Sequence, residues 1–255
     1  MKRPYSIIGY IIAITFFICF ALHSKAVAEE GNSDFPESYA AEMYAGWSID
    51  SEGQGYSYIG AGFDRIISNR WALTAKILGN YNYYEYDSGL DIVEAKAPGL
   101  KVLIGTKHFK RGEYFVLTGG LDYRNTSLSP DDKNSQIKGS KTGVIFETLY
   151  SKDLSENFVL DLIASFSSIG DSLWGRTRFK YMLPSFSGDD VKQKVFIGIE
   201  GIGEGNGDYS AYRIGPIIEL QNVKKKFSVL LDGGYKHTNS ISSSGYFGIE
   251  LYLRL

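Results

Sequence analysis

The chain has 255 residues, with 29 acidic against 27 basic side chains, a net charge of −2 and no sustained block of either sign. It therefore lacks the electrostatic footprint that nucleic-acid binding needs, and its mean hydropathy of −0.15 is too low for a bundle of transmembrane helices. The bias is aromatic and small: 19 Tyr, 15 Phe and 3 Trp accompany 29 Gly and only 6 Pro. That suits a β-barrel with ring girdles at two membrane interfaces and glycines where strands coil tightly, although a soluble β-sandwich shares it.

The N-terminus reads as an export signal. Lys2 and Arg3 precede one apolar segment, Ile7–Leu22, and Ala26-Val27-Ala28 supplies a small-x-small cleavage pattern before Glu29 and Glu30. Cleavage after Ala28 makes residues 1–28 a signal peptide and 29–255 one barrel domain; an uncleaved N-terminal anchor is the alternative. Cys19 leaves with the signal, and Phe17 and Ile18 before it do not form a lipidation site. The mature chain then has neither disulfides nor thiolate metal sites.

From there on, period-two alternation returns repeatedly, broken by Gly, Asn, Ser and Asp clusters. In Ala41–Ile49, the residues Ala41, Met43, Ala45, Trp47 and Ile49 alternate with Glu42, Tyr44, Gly46 and Ser48. Tyr56–Ile67 follows, and then a strand in which Trp71, Leu73, Ala75, Ile77, Tyr81 and Tyr83 oppose Thr74, Lys76, Asn80 and Asn82. The pattern continues through Leu100–Phe109, Tyr114–Tyr123, Lys141–Tyr150, Phe158–Ser168 and Leu173–Leu183. Val195, Ile197 and Ile199 then oppose Lys194, Glu200 and Glu204; Tyr212, Ile214, Ile218 and Leu220 oppose Arg213 and Glu219; Phe227, Val229, Leu231 and Tyr235 oppose Ser228, Asp232 and Lys236. The last strand carries Phe247, Ile249, Leu251, Leu253 and Leu255 on one side and Gly248, Glu250 and Arg254 on the other.

About twelve strands of roughly ten residues predict an all-β fold, an antiparallel up-and-down transmembrane β-barrel. With a periplasmic N-terminus, the even-numbered connections should be short, as Ser68-Asn69 and Lys110-Arg111-Gly112 are. The long connections Tyr86–Gly99 and Asn125–Gly139 then fall on the outside, while Pro184–Asp190 is longer than a periplasmic turn should be. The alternative is a secreted soluble sandwich or lipocalin-like barrel, because periodicity does not say which face points inward. The export signal and the apolar terminal strand, otherwise an exposed edge, favour the membrane.

Three groups of residues could carry function. Arg176, Arg178 and Lys180 share one strand face, which three cations exclude from lipid, and the next strand sets Lys194, Glu200 and Glu204 beside them, with Arg213 following. These predict a luminal charge network, either a structural ion web or the lining of a wet passage. Tyr81, Tyr83, Tyr84 and Tyr86 lead into Asp87, Asp91 and Glu94; rings beside carboxylates suit sugar stacking, with an interfacial aromatic girdle as the alternative. His108 and His237, the two histidines of the mature chain, are expected at opposite rims, so no metal or nucleophilic site can use both. His237-Thr238-Asn239-Ser240 resembles the outward histidine–serine pair of lipid A deacylases, but position i+2 is Asn239. Gly203-x-Gly205-x-Gly207 reads as a hairpin turn rather than a phosphate loop.

The second half resembles the cellulose biosynthesis protein BcsS family. The resemblance is carried by Ser129-Pro130-Asp131-Asp132 with Gly139, Gly143 and Glu147, by Gly198-Ile199-Glu200 leading into Gly205-Asn206-Gly207-Asp208-Tyr209, and by Arg213-Ile214-Gly215. Gly233-Gly234-Tyr235 and Ser244-Gly245-Tyr246 complete it. It implies a non-enzymatic barrel in the outer membrane of a Gram-negative bacterium that assists cellulose or exopolysaccharide biosynthesis and secretion. Its partners would be outer-membrane lipid, cellulose and components of the cellulose synthase complex, with no cofactor and no catalytic residues. A small-solute porin and a lipid A-modifying enzyme are the alternatives.

Overall fold

The computed structural model describes residues 39–184, 193–206, 209–239 and 243–255. The expected signal peptide, the Pro184–Asp190 connection beyond Pro184, and Gly207, Asp208 and Ser240 lie outside them. Twelve strands follow in order: β1 (Tyr39–Asp50), β2 (Gly55–Ser68), β3 (Trp71–Asp87), β4 (Ile92–Lys110), β5 (Glu113–Ser129), β6 (Gly139–Asp153), β7 (Phe158–Ser167), β8 (Ser172–Met182), β9 (Gln193–Gly205), β10 (Ser210–Asn222), β11 (Phe227–Thr238) and β12 (Ser243–Arg254). Each pairs antiparallel with its neighbour in sequence, and β12 pairs back onto β1 to close the barrel. At the seam Met43 lies opposite Leu253 and Ile49 opposite Phe247, and the Leu255 N–H donates to the Ala41 carbonyl at 2.8 Å. The apolar terminal strand is thus a paired strand and not an edge.

Alternation settles which face points inward. Along β10, Tyr212, Ile214, Ile218 and Leu220 are 48–53% exposed, whereas Arg213, Ile217 and Glu219 between them are buried. The same holds around the ring: Ile77, Ile104, Leu121, Phe146, Ile199 and Phe247 project outward. A soluble barrel needs the reverse arrangement, so the apolar outer face and charged interior are those of a membrane barrel. Rings gather at both ends of the outer face. Tyr39 with Phe63, Trp71 with His108 and Phe158 with Phe179 lie at the end that carries Tyr39 and Leu255, here the near end. Tyr212 packs with Tyr235 and His237 at the far end.

The two long outer connections differ from the expectation. β3 runs to Asp87 and β4 begins at Ile92, leaving only Ser88–Asp91 between them, and β5 runs to Ser129. Apolar alternation stops where a strand leaves the hydrocarbon layer, but hydrogen-bond pairing does not, so Glu85, Glu94 and Lys96 remain in strands that project into water. The extended β3–β4 hairpin leans across the far end. Its Tyr86, Val93 and Ala95 pack on Tyr209 and Ala211, although β2, β1, β12 and β11 lie between β3 and β10. The Tyr86 hydroxyl donates to Asp132 Oδ2 at 2.9 Å, tying this roof to the β5–β6 connection.

Two glycines let β4 and β5 approach in the strongly coiled part of the wall. A Cβ at Gly105 would collide with the Leu117 carbonyl, and one at Gly120 with that of Val102. Outward-facing Gly203 has open space around it. Gly120→Val should therefore cost about 1–3 kcal/mol or prevent assembly, whereas Gly203→Ala should fold like the parent. Heat-modifiable gel migration of the refolded barrels measures both, and equal folding of the two variants would contradict the packing described.

Candidate functional site

The lumen holds one elongated cavity of about 1140 Å³. It reaches the near rim at Lys110, Glu113 and Lys226 and extends at the far end to Ile137, Tyr84 and Tyr209 beneath the β3–β4 hairpin. Two walls of different chemistry face each other across it.

The charged wall comes from β7 to β12 and the end of β1. Even-numbered residues of β8 point inward, so Arg176, Arg178 and Lys180 stack along the lumen two residues apart. Glu250 of β12 accepts from Arg176 Nη1 at 2.5 Å and from Arg178 Nη1 at 2.9 Å, a bridge that passes over β9, β10 and β11. Arg178 Nε also donates to Glu200 Oε2 at 2.5 Å. Two guanidiniums and two carboxylates thus form a neutral knot that spans part of the lumen. Lys180 sits between Asp161 (2.8 Å) and Glu219 (2.9 Å); Arg213 bonds Glu204 and the Ser48 hydroxyl, both at 3.1 Å; Lys236 bonds Asp50 at 2.6 Å and Gln54 at 3.1 Å. Of the seven residues named for a luminal network, Arg176, Arg178 and Glu200 meet in the knot, Arg213 pairs with Glu204, and Lys180 is held by other carboxylates. Lys194 lines the cavity but stands apart, exposed at the near end.

The opposite wall, β1 to β5, is aromatic and amidic. Tyr44, Tyr58 and Tyr56 climb it with ring centroids 6.3 and 5.5 Å apart. Each of the first two lies over a glycine of the paired strand: the Tyr58 ring covers Gly46 and the Tyr44 ring covers Gly60. Asn80 and Lys101 line the cavity next to them, and Lys76 bonds Glu147 at 2.9 Å from β3 to β6. Arg124 holds the fully buried Asp122 at 2.7 Å and reaches Ser172 at 3.2 Å.

The expected tyrosine platform divides between two faces. Strand periodicity turns Tyr84 and Tyr86 inward, where Tyr84 meets Tyr209 at 5.0 Å, and leaves Tyr81 and Tyr83 on the other face, Tyr83 under the Lys96 ammonium. The four rings cannot bind one ligand together. The ladder of Tyr44, Tyr58 and Tyr56 is a site that strand periodicity alone does not single out; its sequence signal is tyrosine alternating with glycine across two adjacent strands.

The two histidines lie at opposite ends, as expected. His237 pairs across strands with Ser243, Nδ1 to Oγ 3.2 Å, on the outer face, a serine that the i+2 pattern does not reach. Tyr235 shares that hydroxyl, and no carboxylate bonds the ring among the described residues. No group of metal ligands occurs among the described residues. Gly203 and Gly205 end β9 at a hairpin, where the Asn206 N–H donates to the Tyr209 carbonyl.

The knot stabilises the barrel only while it is complete. Removing one partner of a buried pair strands its counter-charge, so Glu250→Ala should destabilise the barrel by about 3–5 kcal/mol. Glu94→Ala, in an exposed pair with Lys96, should change stability by under about 1 kcal/mol. Urea unfolding in micelles reads both, and equal shifts would sink the assignment.

The family model for cellulose biosynthesis protein BcsS matches residues 36–255. No curated protein matches the chain in sequence. Among solved structures, the β-domain of the Bordetella autotransporter BrkA is similar at a TM-score of 0.52 and 13% identity, covering 85% of this chain and 98% of that one. An outer membrane channel from Pseudomonas putida F1 is similar at 0.51 and 12% identity, covering 89% of this chain and 100% of that one. At such identities these two likenesses establish the fold, that of outer-membrane β-barrels, and nothing of the activity. With a family match that spans the whole barrel, this chain belongs to the cellulose biosynthesis protein BcsS family.

Proposed function

We propose that the protein is a non-enzymatic barrel of the Gram-negative outer membrane that assists the secretion or surface anchoring of cellulose or a related exopolysaccharide. In this reading the near end faces the periplasm and the signal peptide has been removed. Components of the cellulose synthase complex are its partners on that side. The observation that carries the reading is the lumen: a cavity that reaches the near rim, with aromatic rings along one wall and neutralised charge along the other. A wall of flat rings and hydrogen-bonding groups suits a hydroxyl-rich polymer better than it suits small ions.

Deleting the gene in its host should lower cellulose at the cell surface while synthase activity in isolated inner membranes is retained. Loss of that activity as well would move the role to synthesis. A small-solute porin is the second reading, favoured by the charged lining. It requires purified protein to conduct in planar bilayers and Arg176→Glu to shift ion selectivity; the knot and the far-end roof lead us to expect little conductance. A lipid A profile that changes in a His237→Ala strain would instead reveal an enzyme.

A further inference from the structure

We propose that Tyr56, Tyr58, Asn80 and Lys101 form a luminal subsite for one pyranose unit of a neutral glucan chain; its sugar class rests on the polysaccharide reading above. The four residues come from three adjacent strands and share the inner face. Tyr58 is the cross-strand partner of Asn80, Asn80 is the partner of Gly99, and Lys101 follows Gly99 by two residues on the same face. All four line the cavity.

What distinguishes this patch is an amide left unbonded at both ends: Asp122, Arg178, Glu200 and Arg213 also leave one polar atom unpartnered, but each is held through another. Asn80 is only 7% exposed, yet neither its Oδ1 nor its Nδ2 has a hydrogen-bond partner among the described residues. Buried side-chain amides in folded proteins are almost always bonded, and an exception calls for an explanation. The amide packs over Gly99, where a Cβ would lie 2.9 Å from Asn80 Oδ1, so its polar atoms are covered and meet a sugar hydroxyl when the Asn80 side chain turns toward the lumen. The Lys101 ammonium has no hydrogen-bond or ion-pair partner among the described residues, while Lys76, Lys107, Lys180 and Lys236 in the same lumen are all paired. The hydroxyls of Tyr56 and Tyr58 likewise bond no described residue.

The rings supply the other half of the site. Tyr58 lies back over Gly46 and so presents its other face to the lumen, and Tyr56 continues that surface with centroids 5.5 Å apart and planes 32° apart. A pyranose has two kinds of surface: a flat face of C–H groups, which lies against the negative face of an aromatic ring, and a rim of hydroxyls that both donate and accept. An amide offers one acceptor and two donors, an ammonium offers three donors, and each phenol offers either. That set matches a hydroxyl rim. An anionic ligand would meet a single unpaired cation with Asp122 opposite it in the strand register and Glu147 also lining the cavity, and a lipid chain would leave every polar group unsatisfied. Apolar walls with a few convergent polar groups are the usual form of a small-ligand site.

The test uses the full barrel in detergent micelles, titrated with cellohexaose and followed by saturation-transfer NMR. The parent should bind saturably, and Asn80→Ala should weaken binding at least about tenfold, the loss of two hydrogen bonds in an enclosed site. Because Asn80→Ala removes only atoms that have no partner, the variant should fold at least as well as the parent. A merely structural Asn80 would instead leave binding untouched. Tyr58→Phe, which keeps the ring, should bind within about threefold of the parent, whereas Tyr58→Leu should not. No binding to the folded parent, or equal binding by Asn80→Ala, overturns the subsite. If binding fails while the deletion strain still loses surface cellulose, the subsite falls and the secretion reading stands. If binding holds and surface cellulose is unchanged, the subsite stands and the secretion reading falls.

Discussion

Every backbone amide that crosses hydrocarbon must find a carbonyl inside the same sheet, because no water is there to take its place and each unpaired group costs several kcal/mol. The pairing of β12 with β1 meets that requirement, and the rest of the architecture depends on it. Once the ring is closed, strand periodicity allows only two faces. Lipid claims the apolar one, so the charges that share these strands are forced into a lumen too narrow to hydrate them fully. There they must neutralise one another. Arg176, Arg178, Glu200 and Glu250 do so by reaching across the barrel, which makes the ion network a consequence of closure and not a separate invention.

The two walls show how differently a confined polar group can be treated. On the charged wall Arg176, Arg178, Lys180, Arg213 and Lys236 are each matched by a carboxylate within hydrogen-bond distance, as burial of charge demands. On the aromatic wall the glycines Gly46 and Gly60 remove side-chain bulk so that Tyr58 and Tyr44 can lie flat. The polar groups beside them, Asn80 and Lys101, have no hydrogen-bond or ion-pair partner among the described residues. Both walls leave buried polar atoms unbonded, but on the charged wall Arg178, Glu200 and Arg213 are each held through their other atoms, whereas neither end of the Asn80 amide is bonded among the described residues.

Much of the architecture was legible because a β-strand writes its geometry into every second residue. Tyr212, Ile214, Ile218 and Leu220 against Arg213 and Glu219 announce a strand with one apolar and one charged face, and twelve such segments with short alternate turns announce a barrel. The inward set Arg176, Arg178 and Lys180 followed from the same rule. The strand ends did not, since β3, β4 and β5 continue beyond the membrane where nothing selects for apolar alternation. The tyrosine run of β3 was misleading for a related reason: sequence proximity suggested one platform, yet Tyr81 and Tyr83 differ in parity from Tyr84 and Tyr86.

Taken alone, the sequence determined the strand pattern, the two chemical faces and the family resemblance, all of which are local or periodic properties of the chain. Only the tertiary structure decided which face points inward, that Glu250 meets residues more than seventy positions away, and that the β3–β4 hairpin covers the far end against Tyr209. It alone showed that Asn80 and Lys101 have no hydrogen-bond partner among the described residues beside Tyr56 and Tyr58. Those are relations between strands, set by closure and register, and no window along one strand contains them.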